Sequence, residues 1–309
     1  MRRMRLATTT RGLLAGGCLA LVAAASAPPA LSEQVDRPVA ASTRFATKVL
    51  VVIEENHSYT QMRTQMPYLA GLSRAYGYAT QWRAVTHPSE PNYLAIAGGS
   101  TFGITDDKPP SAHRARLASA TSVFDQALSK GRTAATYAES MPTSCDRQNY
   151  PSRGGSTQYA VRHNPWSYFP HGRTQCRAHD VALTRFASDA AADRLPNVGF
   201  LIPNLDHDAH DGSLATADTW LRHTLASVLS SSDFAEHRLV VVVTADEDDR
   251  RSGNLVLTSV LTPALSHKVV HTPLTHYSLT RFLDQVIGAR PLRRARTAPD
   301  LAAAFGLRA

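Results

Sequence analysis

Lys48-Val49-Leu50-Val51-Val52-Ile53-Glu54 is an unbroken run of branched apolar residues closed by an acid. A run this short has the length of a strand, and the lack of alternation means that both of its faces are covered. Two later segments repeat the pattern, Asn197-VGFLI-Pro203 and Arg238-LVVVVT-Ala245, and Asn254-LVLTSVLT-Pro263 is a weaker fourth. Helical patterning falls between them, at 67–76, 122–130, 182–194, 217–230 and 278–286. Strands alternating with helices predict an α/β fold, a mostly parallel sheet sandwiched by helices.

In such sheets ligands collect beyond the carboxyl ends of the strands. The first strand runs into Glu55-Asn56-His57-Ser58-Tyr59, the second into Asn204-Leu205-Asp206-His207-Asp208-Ala209-His210-Asp211-Gly212, the third into Asp246-Glu247-Asp248-Asp249. Any one of these is an ordinary polar cap. Three in a row place many oxygen and nitrogen donors on one rim. Carboxylates packed together raise one another's pKa, and a divalent cation relieves that repulsion. Glu55, Asn56, Asp246 and Glu247 are the candidate ligands. Oxygen donors suit Mg²⁺, Ca²⁺ or Mn²⁺, with zinc also compatible, so neither the identity nor the number of ions is readable.

The segment Thr86-His87-Pro88-Ser89-Glu90-Pro91-Asn92-Tyr93 then enters the small apolar run Leu94 to Gly98. It reads as a turn opening a helix, and helix N-termini favour anions. By itself Ser89 is a plain N-cap. Beside a metal, its hydroxyl becomes a nucleophile for phosphorus.

Composition places limits on the rest. The chain has 309 residues, 43% hydrophobic and 19% charged, which is globular and excludes a multi-span membrane protein. Residues 1–27 have the layout of a secretory signal peptide: four arginines without an acid, an apolar stretch, then Ala25-Ser26-Ala27. A cut nearer Leu31-Ser32, twin-arginine export through Arg2-Arg3 and a retained anchor stay open. Residues 28–45 read as a linker. Without the leader arginines, 33 basic residues become 29 against 25 acids, about +4. That mild excess suits an anionic substrate but is not a nucleic-acid footprint. Much of it sits in PLRRAR, 291–296, read as part of a solvated basic segment, 291–309. Cys145 and Cys176 are the cysteines left after export, and such a pair is expected to form a disulfide worth roughly 3 kcal/mol across the stapled 140–180 excursion.

The ordered set Glu-Asn-His-Ser-Tyr, His-Pro-Ser-x-Pro-Asn-Tyr, Arg-His-Asn-Pro, Pro-Asn-Leu-x₃-His-Asp-Gly, Asp-Glu-Asp-Asp and Thr-His-Tyr-Ser-Leu resembles the secreted phosphoesterases of the alkaline phosphatase superfamily. That family holds acid phosphatases and bacterial phospholipases C, and the likeness spans residues 48–290. It implies a catalytic domain over 46–290 with an alkaline-phosphatase-like fold. It also implies metal binding by Glu55, Asn56, Ser89, Asp246 and Glu247, with Ser89 as nucleophile. His87, His210 and His276 become candidates to protonate the leaving group. Asn92, His163, Asn164 and Asp211 become candidates for substrate contact, with Asp208 in support. Dependence on a histidine predicts an acidic optimum.

Two departures stand out. Asp246-Glu247 replaces the superfamily's common Asp-His, and Arg250 stands where the family commonly has glycine; it is read as facing water. The implied function is a secreted metal-dependent phosphomonoesterase acting on a small phosphate ester, with no nucleic-acid partner, no stable membrane insertion and no readable oligomeric state. The alternatives are a phospholipase C or phosphodiesterase using the same site, and a non-catalytic binding protein. Phospholipases of the family tend to carry extra C-terminal domains. The Cys/Ser-x-Pro-x-Arg signature of sulfatases is missing.

Overall fold

The computed structural model describes residues 46–151 and 158–308; the expected leader, 1–27, and linker, 28–45, lie outside the described residues. Its strands are β1 (Lys48–Glu54), β2 (Gly77–Ala79), β3 (Trp82–Arg83), β4 (Ala134–Ala138), β5 (Asp180–Ala182), β6 (Val198–Ile202), β7 (Leu239–Ala245), β8 (Thr258–Leu261), β9 (Lys268–Val270) and β10 (Leu274–Thr275). Eight of them form one sheet in the order β5-β4-β6-β1-β7-β8-β2-β9, and β10 pairs with β3. From β5 to β7 all neighbours are parallel. β1 lies at the centre, with Val49 opposite Val198 on one side and Val240 on the other.

Every residue of β6 and β7 is buried, and all of β1 beyond Lys48. Two groups of helices supply the cover. Ser89–Gly98, Val123–Ser129 and His276–Val286 pack on one another and reach β1 and β6. Tyr59–Gln65, Pro67–Ala75 and Leu214–Leu229 form the second group, which reaches β8 through the Pro67 helix. The strong apolar runs thus become central parallel strands, as their lack of alternation requires.

The expected fourth strand is shorter, Thr258–Leu261, and antiparallel to both β7 and β2. The link from β7 carries no crossover helix, so a parallel return is not open to it. The helix expected over 182–194 is divided into the end of β5, a single 3₁₀ turn at Leu183–Arg185 and a short helix, Phe186–Ala191. The disulfide joins Cys145 to Cys176 with Cα atoms 5.4 Å apart, tying the turn after β4 to the helix that leads into β5.

The expected solvated basic segment, 291–309, needs correcting, because its described residues, 291–308, are not a solvated tail. Leu292, Leu301 and Phe305 belong to the same core as the sheet. The Arg293 guanidinium donates to the carbonyls of Gly98 and Thr121, both at 2.8 Å, and the Arg294 amide donates to Gly99 at 3.0 Å. Arg293 therefore supplies a cation where the Ser89 helix ends in free carbonyls. Phe305→Ala is expected to lower the unfolding free energy by about 3–5 kcal/mol. An unchanged urea midpoint would show that this segment lies outside the cooperative unit.

Candidate active site

The ladder of β6, β1 and β7 does not stop at the strand ends. The Glu55 amide donates to the Asp208 carbonyl at 2.7 Å, and the Asp246 amide to the Glu54 carbonyl at 3.0 Å. Those two bonds bring three acidic loops to one point. Asn56 turns the first loop with φ +47°, a left-handed conformation that a short polar side chain tolerates. Gly212 closes the second; a Cβ there would lie 1.9 Å from the Asp206 carbonyl oxygen, so no other residue fits.

Ser89 begins a helix in which every residue is buried. Its hydroxyl donates to Glu55 Oε2 at 3.0 Å and also lies against the Asp246 carboxylate. Tyr93, one turn further on, donates to the other Glu55 oxygen at 2.5 Å. The i, i+4 spacing thus lets one helix hold both oxygens of one acid. His163 stacks on the Tyr93 ring, with Nε2 3.4 Å from Glu55 Oε1 and Nδ1 3.2 Å from Asp208 Oδ2. On the far side, His87 Nδ1 lies 2.9 Å from Glu247 Oε2 and its Nε2 3.3 Å from Asp248 Oδ1.

A cavity of about 330 Å³ opens onto Ser89; Asn56, Asp107, His210, Glu247 and Arg250 share its lining. His210 Nδ1 lies 2.7 Å from Asp211 Oδ1, and its Nε2 lies 3.1 Å from an Arg162 nitrogen. Arginine can only donate, so Nε2 accepts and the ring proton is on Nδ1, toward Asp211.

Burial is the first cause of every carboxyl shift here. It raises Glu55 and Asp208 well above the usual range, Asp246 to about 7 and Glu247 to about 9. Repulsion from Asp246 adds to the rise at Glu55, Asp208 and Glu247. Burial also lowers His87, assisted by the Arg250 charge. Several polar atoms at this point are buried without a hydrogen-bond partner: Asn56 Oδ1, Asp208 Oδ2, Asp246 Oδ2 and His163 Nε2. Donor atoms of Glu55, His163 and Asp208 all lie within 4.8 Å of one another. Crowded acids and partnerless lone pairs are what a divalent cation satisfies, so the residues present fit one.

The placements of the expected residues differ. Ser89, Glu55, Asn56, Asp246 and Glu247 come together, with His87 beside Glu247, His210 at the cavity and Asp211 against His210. His276 does not reach the cavity, and its role as a proton donor to the leaving group is corrected. It is fully buried, with Nε2 2.6 Å from the Asp246 carbonyl oxygen and Nδ1 accepting from Trp82 Nε1 at 3.3 Å. Burial holds it neutral, with a pKa of about 4. Asn92 is corrected likewise. Its carboxamide oxygen takes the Val85 and Thr86 amides, and its nitrogen donates to Thr86, Pro88 and Glu247, so it holds the turn before Ser89. Asn164 is spent in a buried cluster, donating to Asp180 at 2.9 Å and Tyr159 at 3.0 Å. His163 sits among the carboxylates rather than in the cavity.

Tyr93 and Arg162 have no role in the sequence reading, although both lie inside quoted motifs; an aromatic and an arginine next to a histidine each have commoner structural explanations. Arg250 is exposed, as expected, but it also lines the cavity.

Residues 59–289 match the model of the phosphoesterase family. The chain is 31% identical over 280 residues to a phosphatidylinositol-3-phosphatase of Mycobacterium tuberculosis, covering 88% of this chain and 87% of the relative. It is 31% identical over 226 residues to a phosphate-repressible acid phosphatase of Penicillium chrysogenum, covering 70% of this chain but only 53% of that longer protein. A member of the alkaline phosphatase superfamily from Vibrio parahaemolyticus shares the fold, with a TM-score of 0.53 over 85% of this chain and 72% of that one, at 11% identity.

The buried His276 predicts a direction for stability against pH. With the native pKa near 4 and the unfolded value near 6.5, the unfolded chain binds the extra proton between them. Stability is therefore lost as pH falls from about 6.5 toward 4. His276→Gln is expected to flatten that part of the curve, measured by urea midpoints. A slope equal to that of the parent would remove His276 as its source.

Proposed function

This chain belongs to the phosphoesterase family, and from that premise we propose a secreted, metal-dependent phosphomonoesterase that works through a phosphoseryl intermediate on Ser89. That it is a hydrolase of phosphate esters follows from the family and from the phosphatases it resembles. The observation that carries the finer reading is the Ser89 hydroxyl, set 3.0 Å from Glu55 Oε2 and open to a cavity lined by His210 and Arg250.

A divalent cation held by Glu55, Asn56, Ser89, Asp246 and Glu247, with His163 and Asp208 as a neighbouring donor set, would balance the acids and lower the pKa of the serine hydroxyl. Arg162 and Arg250 attract the phosphate dianion, and the buried helix fixes Ser89 against it. The hydroxyl proton leaves along the hydrogen bond to Glu55 Oε2. Serine oxygen bonds to phosphorus and the bond to the alcohol oxygen breaks; with Arg162 drawn from His210 Nε2 to the phosphate, that nitrogen takes up a proton from solvent and delivers it to the leaving oxygen. Water then attacks the phosphoserine, giving a proton back to His210, while the Ser89 oxygen recovers its proton from Glu55 as phosphate departs. Asp211 holds the imidazole in one orientation throughout. The mild positive balance of the chain suits an anionic substrate, and a small ester is the partner that the cavity suits. Export is supported by the leader pattern of 1–27 and by the paired cysteines. No described helix is long and apolar enough to cross a membrane.

Ser89→Ala is expected to reduce turnover of p-nitrophenyl phosphate by about 10³-fold or more, with an unchanged near-ultraviolet circular dichroism spectrum. Chelation should abolish turnover by the parent. Acid-quenched parent, but not Ser89→Ala, should retain radiolabel from a labelled phosphate ester. Full activity in the variant would end the assignment of the nucleophile. Turnover of bis(p-nitrophenyl) phosphate alone would replace the monoesterase with a phosphodiesterase. The mycobacterial relative makes phosphatidylinositol 3-phosphate the lipid monoester to assay beside the soluble one.

A further inference from the structure

Glu90 follows the nucleophile in sequence but belongs to another cluster. Its side chain is fully buried, and neither carboxylate oxygen has a hydrogen-bond partner. The Tyr168 hydroxyl is close enough to perturb Glu90, yet it donates to the Lys108 carbonyl at 3.1 Å. Opposite Oε1, at 3.6 Å, is Nε2 of His113, a ring that is itself buried. The same Nε2 is 2.8 Å from Asp106 Oδ1 but is not aligned to hydrogen-bond with it. Lys108 sits on the outer oxygen of Asp106, with Nζ 2.9 Å from Oδ2, and its amide donates to Oδ1 at 3.2 Å.

Donor atoms of Glu90, Asp106 and His113 lie within 4.8 Å of one another. Nε2 is close to two carboxylates and hydrogen-bonded to neither, so with the ring proton on Nδ1 it can offer its lone pair to a third atom placed among them. Two carboxylates and a neutral imidazole also offset the charge of one dication, with Lys108 on the solvent side of Asp106. We propose that Glu90, Asp106 and His113 form a second cation site, distinct from the acids around Glu55, that takes a zinc-like first-row divalent ion with water completing its shell. One imidazole among so few donors fits Ca²⁺ poorly, since that ion takes six to eight oxygens.

The site would tie the 104–113 loop to the start of the Ser89 helix. Asp107, next to Asp106, already accepts the Glu90 amide at 2.9 Å and lines the cavity. The ion is therefore assigned a positioning role at the cavity rim rather than a part in the reaction.

The test uses zinc alone as probe, on full-length protein stripped with chelator and then dialysed. Isothermal titration and elemental analysis should show Glu90→Gln binding one equivalent fewer than the parent. Asp246→Asn should lose a different equivalent, and zinc should still raise its melting temperature. In Asp246→Asn/Glu90→Gln that rise should vanish. If Glu90→Gln fails to fold, Asp106→Asn at the half-exposed edge carries the same comparison. Unchanged zinc stoichiometry in Glu90→Gln or Asp106→Asn, or no zinc-induced shift in Asp246→Asn, overturns the second site. The catalytic reading fails separately, if Asp246→Asn binds as much zinc as the parent and keeps full activity.

Discussion

Like charges cannot be buried side by side without compensation, and this constraint governs the molecule more than any other. Glu54, Glu55, Asp208 and Asp246 are all nine-tenths or more buried at the end of one sheet. Glu54 has no hydrogen bond to either oxygen, and burial pushes it up to about 8. In water these acids would repel weakly; in a protein interior each loses solvation and is driven toward its neutral form. A fold that nevertheless keeps them there is spending stability on chemistry. Much of the surrounding architecture limits that cost.

The compensations are local and specific. Parallel pairing of β6, β1 and β7 fixes where each acidic loop begins, and two backbone hydrogen bonds beyond the strands keep the loops from drifting apart. Tyr93 and Ser89 share one carboxylate. His163 stands between that carboxylate and Asp208, held flat against Tyr93. Asn92 gathers the turn before Ser89 with its carboxamide alone. His276 fixes the Asp246 carbonyl from behind, and Trp82 fixes His276. Groups proposed to move protons are few, while groups that hold them in place are many.

This division explains what the sequence could reveal. The central strands were legible to within a residue because burial on both faces leaves an unbroken apolar run. β4, Ala-Ala-Thr-Tyr-Ala, carries no such run and was not visible; its position between β5 and β6 comes from pairing alone. Ser89, the proposed nucleophile, and the acids around it were legible as a helix start and strand ends. Roles for His276, Asn92 and Asn164 were not, because a polar residue in a motif reads the same whether it faces a ligand or a backbone carbonyl. The tail misled for a different reason: arginines dominate its composition, while the burial is done by Leu292, Leu301 and Phe305.

The bond from Arg293 to the end of the Ser89 helix spans 195 positions of chain. Contacts of that separation pay their loop-closure entropy late and slow the search for the native state. The helix bearing Ser89 thus takes its terminal clamp from a residue close to the far end of the sequence. A chain that stops short of Arg293 leaves the carbonyl end of that helix without its cation, so the support beneath Ser89 is completed by the last part of the sequence.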